Sequence, residues 1–261
     1  MKITPQLLQK LGYPGMPLAV AQEWAAALNA AAVRFEIDTP LRLAHWLSQL
    51  MHESVGLKFT REIWGPTPAQ LGYEGRANLG NTQPGDGKRY MGRGPIQVTG
   101  RANYRTYGRR LGYDLEGNPQ LAEQPTIGAL IAGDYWASHG LNSRADLGGD
   151  SQVETISAAI NGRNRFTNKP NGLPDRLARF RQAWAVLSAT PPQVLLVPKG
   201  EGDPEPVAWD GKPAKYDGVL LDAALVEQLR LVYPEPGGPW TYQGLTVWRR
   251  RSGDLVLKRS K

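Results

Sequence analysis

Tyr90-Met91-Gly92-Arg93-Gly94-Pro95-Ile96-Gln97-Val98-Thr99 is the most informative run of this 261-residue chain. It reads as a Gly-Pro turn entering an extended segment, then passing through Gly100 to Asn103-Tyr104 and into a helix. Within a short span it presents Gln97, Thr99 and Asn103, neutral hydrogen-bonding groups of the kind that hold sugars. A Thr hydroxyl beside a carboxylate can also position a water for hydrolysis. Taken alone, the same polar residues could simply cap the next helix.

Upstream, Thr39-Pro40 reads as a helix N-cap with a first-turn proline, and Leu41, Ala44, Leu47, Leu50 and Met51 follow at helical spacing. This helix is expected to end near Gly56, with Glu53 in its last turns. Burial there, beside the negative end of the helix dipole, would keep Glu53 protonated as an acid. Glu62 lies in the following loop segment, where solvent and the adjacent Arg61 would keep it ionised. Glycosidic hydrolysis uses two carboxyl groups in opposed environments, one protonating the leaving oxygen and one activating water. The spacing of Glu53 and Glu62 is by itself weak evidence for such a pair. From Leu57 to Pro95 the chain is rich in Gly, Pro and Asn without periodicity, and loops of that length usually carry function.

The rest of the first two-thirds reads as helical. Thr4-Pro5 opens a short helix closed by Gly12, and Pro17–Arg34 is Ala-rich and helix-forming. Helical pattern returns at Arg101–Leu111, at Thr126–His139 and at Pro174–Leu187. Ser151-x-x-Glu154 reads as a capping box opening a helix that stops at Asn161-Gly162. Ala189-Thr190-Pro191-Pro192 marks a boundary. Residues 1–190 are therefore expected to form one domain and 191–261 a small α+β module. In the module, Val194–Val197, Leu245–Trp248 and Leu255–Lys258 read as strands and Asp222–Leu231 as a short helix. A wall-targeting or accessory role is the expectation for it.

Composition narrows the chemistry. Cysteine is absent, and three histidines without a His/Asp cluster argue against a metal site, so no cofactor is expected. The formal charge is +7, of which the part before Pro191 carries +6 and the tail +1. A basic face suits a polyanionic partner, whether nucleic acid, anionic lipid or an anionic cell wall, or serves solubility alone, and no nucleic-acid-reading motif is present. No apolar run is long enough to span a bilayer, and residues 1–15 lack the apolar core of a signal peptide. The expectation is a monomer made in the cytoplasm, without stable membrane insertion or nucleic-acid binding, that acts outside the cell only after release.

Met51-His52-Glu53-Ser54, Glu62, the YMGRGPIQVTGRANY run and Ala159-Ile160-Asn161-Gly162 together resemble glycoside hydrolase family 19, the chitinases and related phage and bacterial endolysins. The likeness covers roughly residues 35–185. It implies a mainly α, lysozyme-like two-lobed helical domain with long active-site loops. It implies Glu53 as general acid, Glu62 as general base and Thr99 as the group positioning water, with inversion. Tyr90, Gln97, Asn103 and Asn161 match substrate-contacting or site-organising positions, and Arg176 matches an arginine that tunes the carboxylates. Chitinase members carry an acidic residue shortly after the Asn-Gly, where this chain has Arg163 and Arg165. That difference, the missing disulfides and the compact Glu62–Tyr90 interval point to the endolysin branch. The expected activity is hydrolysis of β-1,4 bonds in peptidoglycan; a chitinase on the same scaffold and a non-catalytic wall-binding protein are the alternatives.

Among the remaining residues, His52 reads as a packed, hydrogen-bonded neighbour of the acid, and Trp64 as either a sugar-stacking or a core aromatic. Trp46, Trp136 and Trp184 read as core, Asp86 as a turn residue, and Arg249-Arg250-Arg251 as a solvated strand end.

Overall fold

The computed structural model describes residues 2–188 and, beyond them, residues 194–196, 207–208, 214–216, 219–221, 225–226, 229, 237–242, 245–249 and 255–259. The chain divides into two units, Met1–Ala189 and Thr190–Lys261.

The first unit is helical: α1 (Pro5–Leu11), α2 (Leu18–Arg34), α3 (Pro40–Glu53), α4 (Pro68–Leu71), α5 (Asp86–Arg89), α6 (Arg101–Leu111), α7 (Pro125–Ser138), α8 (Leu141–Ala145), α9 (Asp150–Asn161) and α10 (Leu173–Leu187). The caps of α1 and α3 form as expected, with the Thr4 and Thr39 hydroxyls accepting from the Leu7 and Arg42 N–H groups. The cap of α9 does not. Its helix starts two residues earlier, at Asp150 behind Gly149, so Ser151 falls inside the first turn and Glu154 pairs with Arg163 instead. The Leu57–Pro95 stretch also holds more order than its composition suggests, because α4, a short 3₁₀ turn (Ala77–Leu79) and α5 punctuate it.

Two apolar cores lie side by side in this unit. The larger gathers α1, α2, α3, α7, α8, α9 and α10 around Trp24, Trp46, Trp136 and Phe180. The smaller is built on Tyr90, Tyr104, Tyr107, Leu111, Ile127 and Ile131. Phe35, Ile96, Leu130 and Tyr135 border both. Trp46 and Trp136 are core, but Trp184 is 37% exposed, lying on the outer side of α10 stacked on Phe180.

In the second unit, β1 (Val194–Leu196), β2 (Val207–Ala208), β5 (Gly237–Tyr242), β6 (Leu245–Arg249) and β7 (Leu255–Arg259) form a sheet in the order β2-β1-β7-β6-β5, with β1 parallel to β7. β3 (Ala214–Tyr216) and β4 (Val219–Leu221) pair separately. Leu225, Val226 and Leu229 are helical and are buried with Leu245, Val247, Leu255 and Leu257. Arg250, Arg251 and the Ala189–Pro192 boundary lie outside the described residues. Among the described residues no helix is long and apolar enough to cross a membrane.

Candidate active site

Glu53 is the last residue of α3, which is buried on all sides from Leu43 to Met51. The chain then reverses sharply. Val55, Gly56 and Leu57 all have positive φ (51°, 72° and 65°). The Ser54 hydroxyl ties the turn by donating to Leu50 O and accepting from Leu57 N–H. Gly56 is needed for space as well as conformation, since a Cβ there would lie 2.4 Å from the Tyr13 nitrogen. A β-branched residue such as Val55 in the left-handed region is strained, and such strain persists only where the surroundings impose it.

Glu53 is not the enclosed acid expected from the sequence. Its side chain is 19% exposed and ion-paired to Arg176, which is fully buried. The Arg176 guanidinium also donates to Gln49 Oε1 and to Asn171 O, and Gln49 in turn donates to Ser157. Arg176 therefore stands behind Glu53 as a positioning residue and has no surface for a substrate. Arg163, where chitinase-type members carry an acid, is turned to Glu154 and Asn168 O and takes no part in this network.

Glu62 is placed by backbone pairing. Its N–H donates to Gly92 O, and Gly94 N–H to Thr60 O; bridges Arg61–Arg93 and Arg93–Val98 complete a small three-segment ladder. The Glu62 carboxylate accepts from Gly92 N–H at 3.0 Å, from Gln70 Nε2 at 3.0 Å and from the Tyr73 hydroxyl at 3.4 Å. It is half-buried among neutral donors. Arg61, expected beside it, is exposed and makes no ion pair with it among the described residues. Burial first, then the Glu62 charge and hydrogen bond, pushes the Tyr73 phenol above its ordinary value, so Tyr73 stays a neutral donor. Gln70 is oriented unambiguously. Its Oε1 accepts from Thr67 N–H in a capping box, which turns the amide nitrogen toward Glu62.

The turn at 94–97 brings the sugar-type groups to Glu62. Gln97 has φ 54° and its amide donates to Gly94 O, while the Thr99 hydroxyl donates to Gln97 O. Three side-chain oxygens converge on Gly92. A Cβ built there would lie 2.8 Å from Gln97 Oε1, 3.3 Å from Glu62 Oε2 and 3.4 Å from Thr99 Oγ1. Arg93 anchors the turn from below; it is buried and donates to Glu123, Arg89 O and the Tyr104 hydroxyl.

Gln97, Thr99 and Asn103 line one cleft of about 340 Å³ with Tyr135, His139 and Ile160. Burial, and then the Glu53 charge, raises the Tyr135 phenol above its ordinary value, so Tyr135 stays a neutral donor. Asn103 donates to Thr99 O and stays exposed, and exposed Asn161 ends α9 next to Ile160. Glu62 and Trp64 line a neighbouring groove of about 630 Å³. Trp64 is half-buried, its ring 6.3 Å from that of Tyr73.

Tyr90 departs from a substrate-binding role. It is buried in the smaller core, its hydroxyl donating to Glu116 O and its ring covered by Arg101, so it organises the turn without reaching the cleft. Asp86 does more than turn the chain, forming a buried ion pair with Arg101. His52 is packed as expected, with Nδ1 2.7 Å from Asp175. Sequence reasoning missed Gln49, Gln70, Tyr73 and Arg93. For Gln70 a signal existed, the Thr67-Pro-Ala-Gln70 capping box; for the others nothing local marks them.

Residues 43–144 match the family described as chitinase class I, Glyco_hydro_19. Over those residues the chain is similar to glycoside hydrolase family 19. Among curated relatives, an endochitinase of Arabidopsis thaliana is 30% identical over 67% of this chain and 56% of its own length. A family 19 domain-containing protein of Haemophilus influenzae is 33% identical over 42% and 48%. The chain spans about half the length of the curated relatives it matches. Chitinase C from Streptomyces griseus superposes with a TM-score of 0.57 at 22% identity, covering 72% of this chain and 77% of that one. The fold shared with that structure is mainly helical, and the segment matched by the family includes both carboxylates and the whole Gly92–Thr99 turn.

Proposed function

We propose that the family 19-like domain hydrolyses β-1,4 bonds between amino sugars of a cell-wall polymer by single displacement, and that the polymer is peptidoglycan. One observation carries the reaction. A carboxylate (Glu62), an amide (Gln97) and a hydroxyl (Thr99) surround one point at Gly92, while the second carboxylate, Glu53, is held by buried Arg176. In this reading protonated Glu53 gives its proton to the glycosidic oxygen as the bond to the anomeric carbon breaks. Arg176, already in place, stabilises the carboxylate that results. Water held by Thr99 and Glu62 attacks the opposite face and loses its proton to Glu62. Inversion calls for the two carboxyls to lie about 6.5–9.5 Å apart, leaving room for that water.

Relatives named as chitinases favour chitin as a second reading on the same site. The basic charge of the part before Pro191 favours an anionic polymer. Reducing-end release from purified peptidoglycan and from chitin, for the native chain and for Glu53→Gln and Glu62→Gln, tests both. Either substitution is expected to lower kcat by about 10²–10⁴-fold. Unchanged turnover in either variant would sink the mechanism, and strong chitin turnover with intact peptidoglycan would overturn the choice of polymer.

A further inference from the structure

The groove beside Glu62 has a feature that hydrolysis of a neutral sugar chain does not use. Lys58, Arg61 and Lys88 all line it, together with Trp64 and Ile63, which is 70% exposed. All three cations are exposed, and among the described residues none forms an ion pair. The carboxylates on the same wall are already engaged, Glu123 by Arg93 and Glu62 by Gln70, Tyr73 and Gly92. Elsewhere in the domain several arginines are matched by acids, as with Arg42 and Asp146, Arg101 and Asp86, and Arg163 and Glu154. Lys58 and Arg61 come from the segment after α3 and Lys88 from α5, so only the fold brings them to one groove.

We propose that Lys58, Arg61 and Lys88 form a carboxylate-reading flank that selects a glycan strand bearing acidic peptide side chains over a neutral amino-sugar chain. The inference rests on the glycosidase reading for the identity of the polymer. A neutral chain offers these cations no partner. Carboxylates hanging to the side of the strand would meet cations that line the same groove, an attraction that acts over roughly 8 Å at physiological salt. The exposed Ile63 gives the aliphatic parts of such a peptide an apolar surface. Each exposed ion pair contributes modestly, so the three are read together, as about a tenfold effect on affinity.

The test is calorimetric titration of the full chain with three probes. These are a soluble disaccharide-peptide fragment of peptidoglycan, the same fragment with its carboxylates converted to primary amides, and a chitin oligomer. The native fragment is expected to bind about tenfold more tightly than the amidated one, with the gap shrinking as salt is raised. Lys58→Gln/Arg61→Gln/Lys88→Gln should abolish the gap while keeping chitin-oligomer affinity and thermal midpoint; Lys58→Arg/Lys88→Arg should retain it. Equal affinities of the native chain for both fragments, or a gap that survives the triple substitution, overturns the proposal. Binding is read without turnover, so the two readings fail separately. A gap without hydrolysis of any polymer overturns the glycosidase reading and supports the flank. Hydrolysis of both fragments with equal kcat/KM overturns the flank alone.

Discussion

Replacing Gly92 by Ala tests the centre of the candidate site with a single methyl group. Gly92 has no positive φ, so alanine imposes no backbone strain, and its N–H and C=O would still pair with Glu62. Lost chain entropy in the unfolded state favours alanine by about 0.4–1 kcal/mol. Against that, the new Cβ would sit 2.8 Å from Gln97 Oε1, where ordinary contact begins at 3.4 Å. The amide end of Gln97 can withdraw, but it is the end that donates to Gly94 O, so the cost of moving it falls within about one net hydrogen bond, 0.5–1.5 kcal/mol. The two contributions nearly cancel, and stability should stay within about 1 kcal/mol of the native value. Activity should not. The methyl occupies the point shared by Glu62 Oε2 and Thr99 Oγ1, and displacing a reactant by an ångström costs about 10²-fold in rate. The assay is reducing-end release from the better of peptidoglycan and chitin, with urea unfolding on the same preparation. A variant that unfolds like the native chain and keeps its kcat would show that water is not handled at this point.

Arg176→Ala leaves Glu53 and Gln49 without their buried partner and opens a cavity. It should lower stability by about 3–5 kcal/mol, and Arg176→Lys, with one compact charge, should recover only part of it; denaturant titration reads both. Acid sensitivity follows from two other carboxylates. Asp86 is held below its ordinary range by the hydrogen bond from Arg101, and Glu116 at about 2 by Arg105 and then Arg101, against the opposing effect of burial. Folded values below the unfolded ones mean that the stabilisation is complete above the ordinary carboxylate range near pH 4. It is lost as pH falls toward about 2. The thermal midpoint measured from pH 6 to pH 2 should drop in that window, and Arg101→Gln should flatten the drop.

Much of the helical frame was legible in the sequence because its signals are local. Thr39-Pro40 caps α3, and the helical spacing of Leu41, Ala44, Leu47, Leu50 and Met51 marks the helix locally; burial on all sides from Leu43 to Met51 came only with the distant helices packed around it. The turn within the Gly92–Thr99 run was equally readable, since a Gly-Pro step is a local turn signal, whereas its polar residues taken alone could equally have capped the next helix. Errors arose where a long-range partner overruled a local signal. Ser151-x-x-Glu154 has the letters of a capping box, but Arg163 engages Glu154, and the helix begins at Asp150. Trp184 has an apolar spacing but lies at the rim of α10, where no further layer covers it fully.

For the candidate site, the sequence by itself determined that two glutamates, a threonine and a cluster of amides are available, and that neither cysteine nor a histidine cluster is. What each glutamate faces was decided only in three dimensions. Arg176 reaches Glu53 from a helix 123 residues away, and Gln70 and Tyr73 reach Glu62 across a turn that α4 and its capping box create. The same folding gathers Lys58, Arg61 and Lys88 on one groove, although nothing in their spacing relates them. A residue's type and its local helix or turn are written in its neighbours. Its electrostatic surroundings are set by which distant surfaces the cores press together, and those distances do not exist in the linear chain.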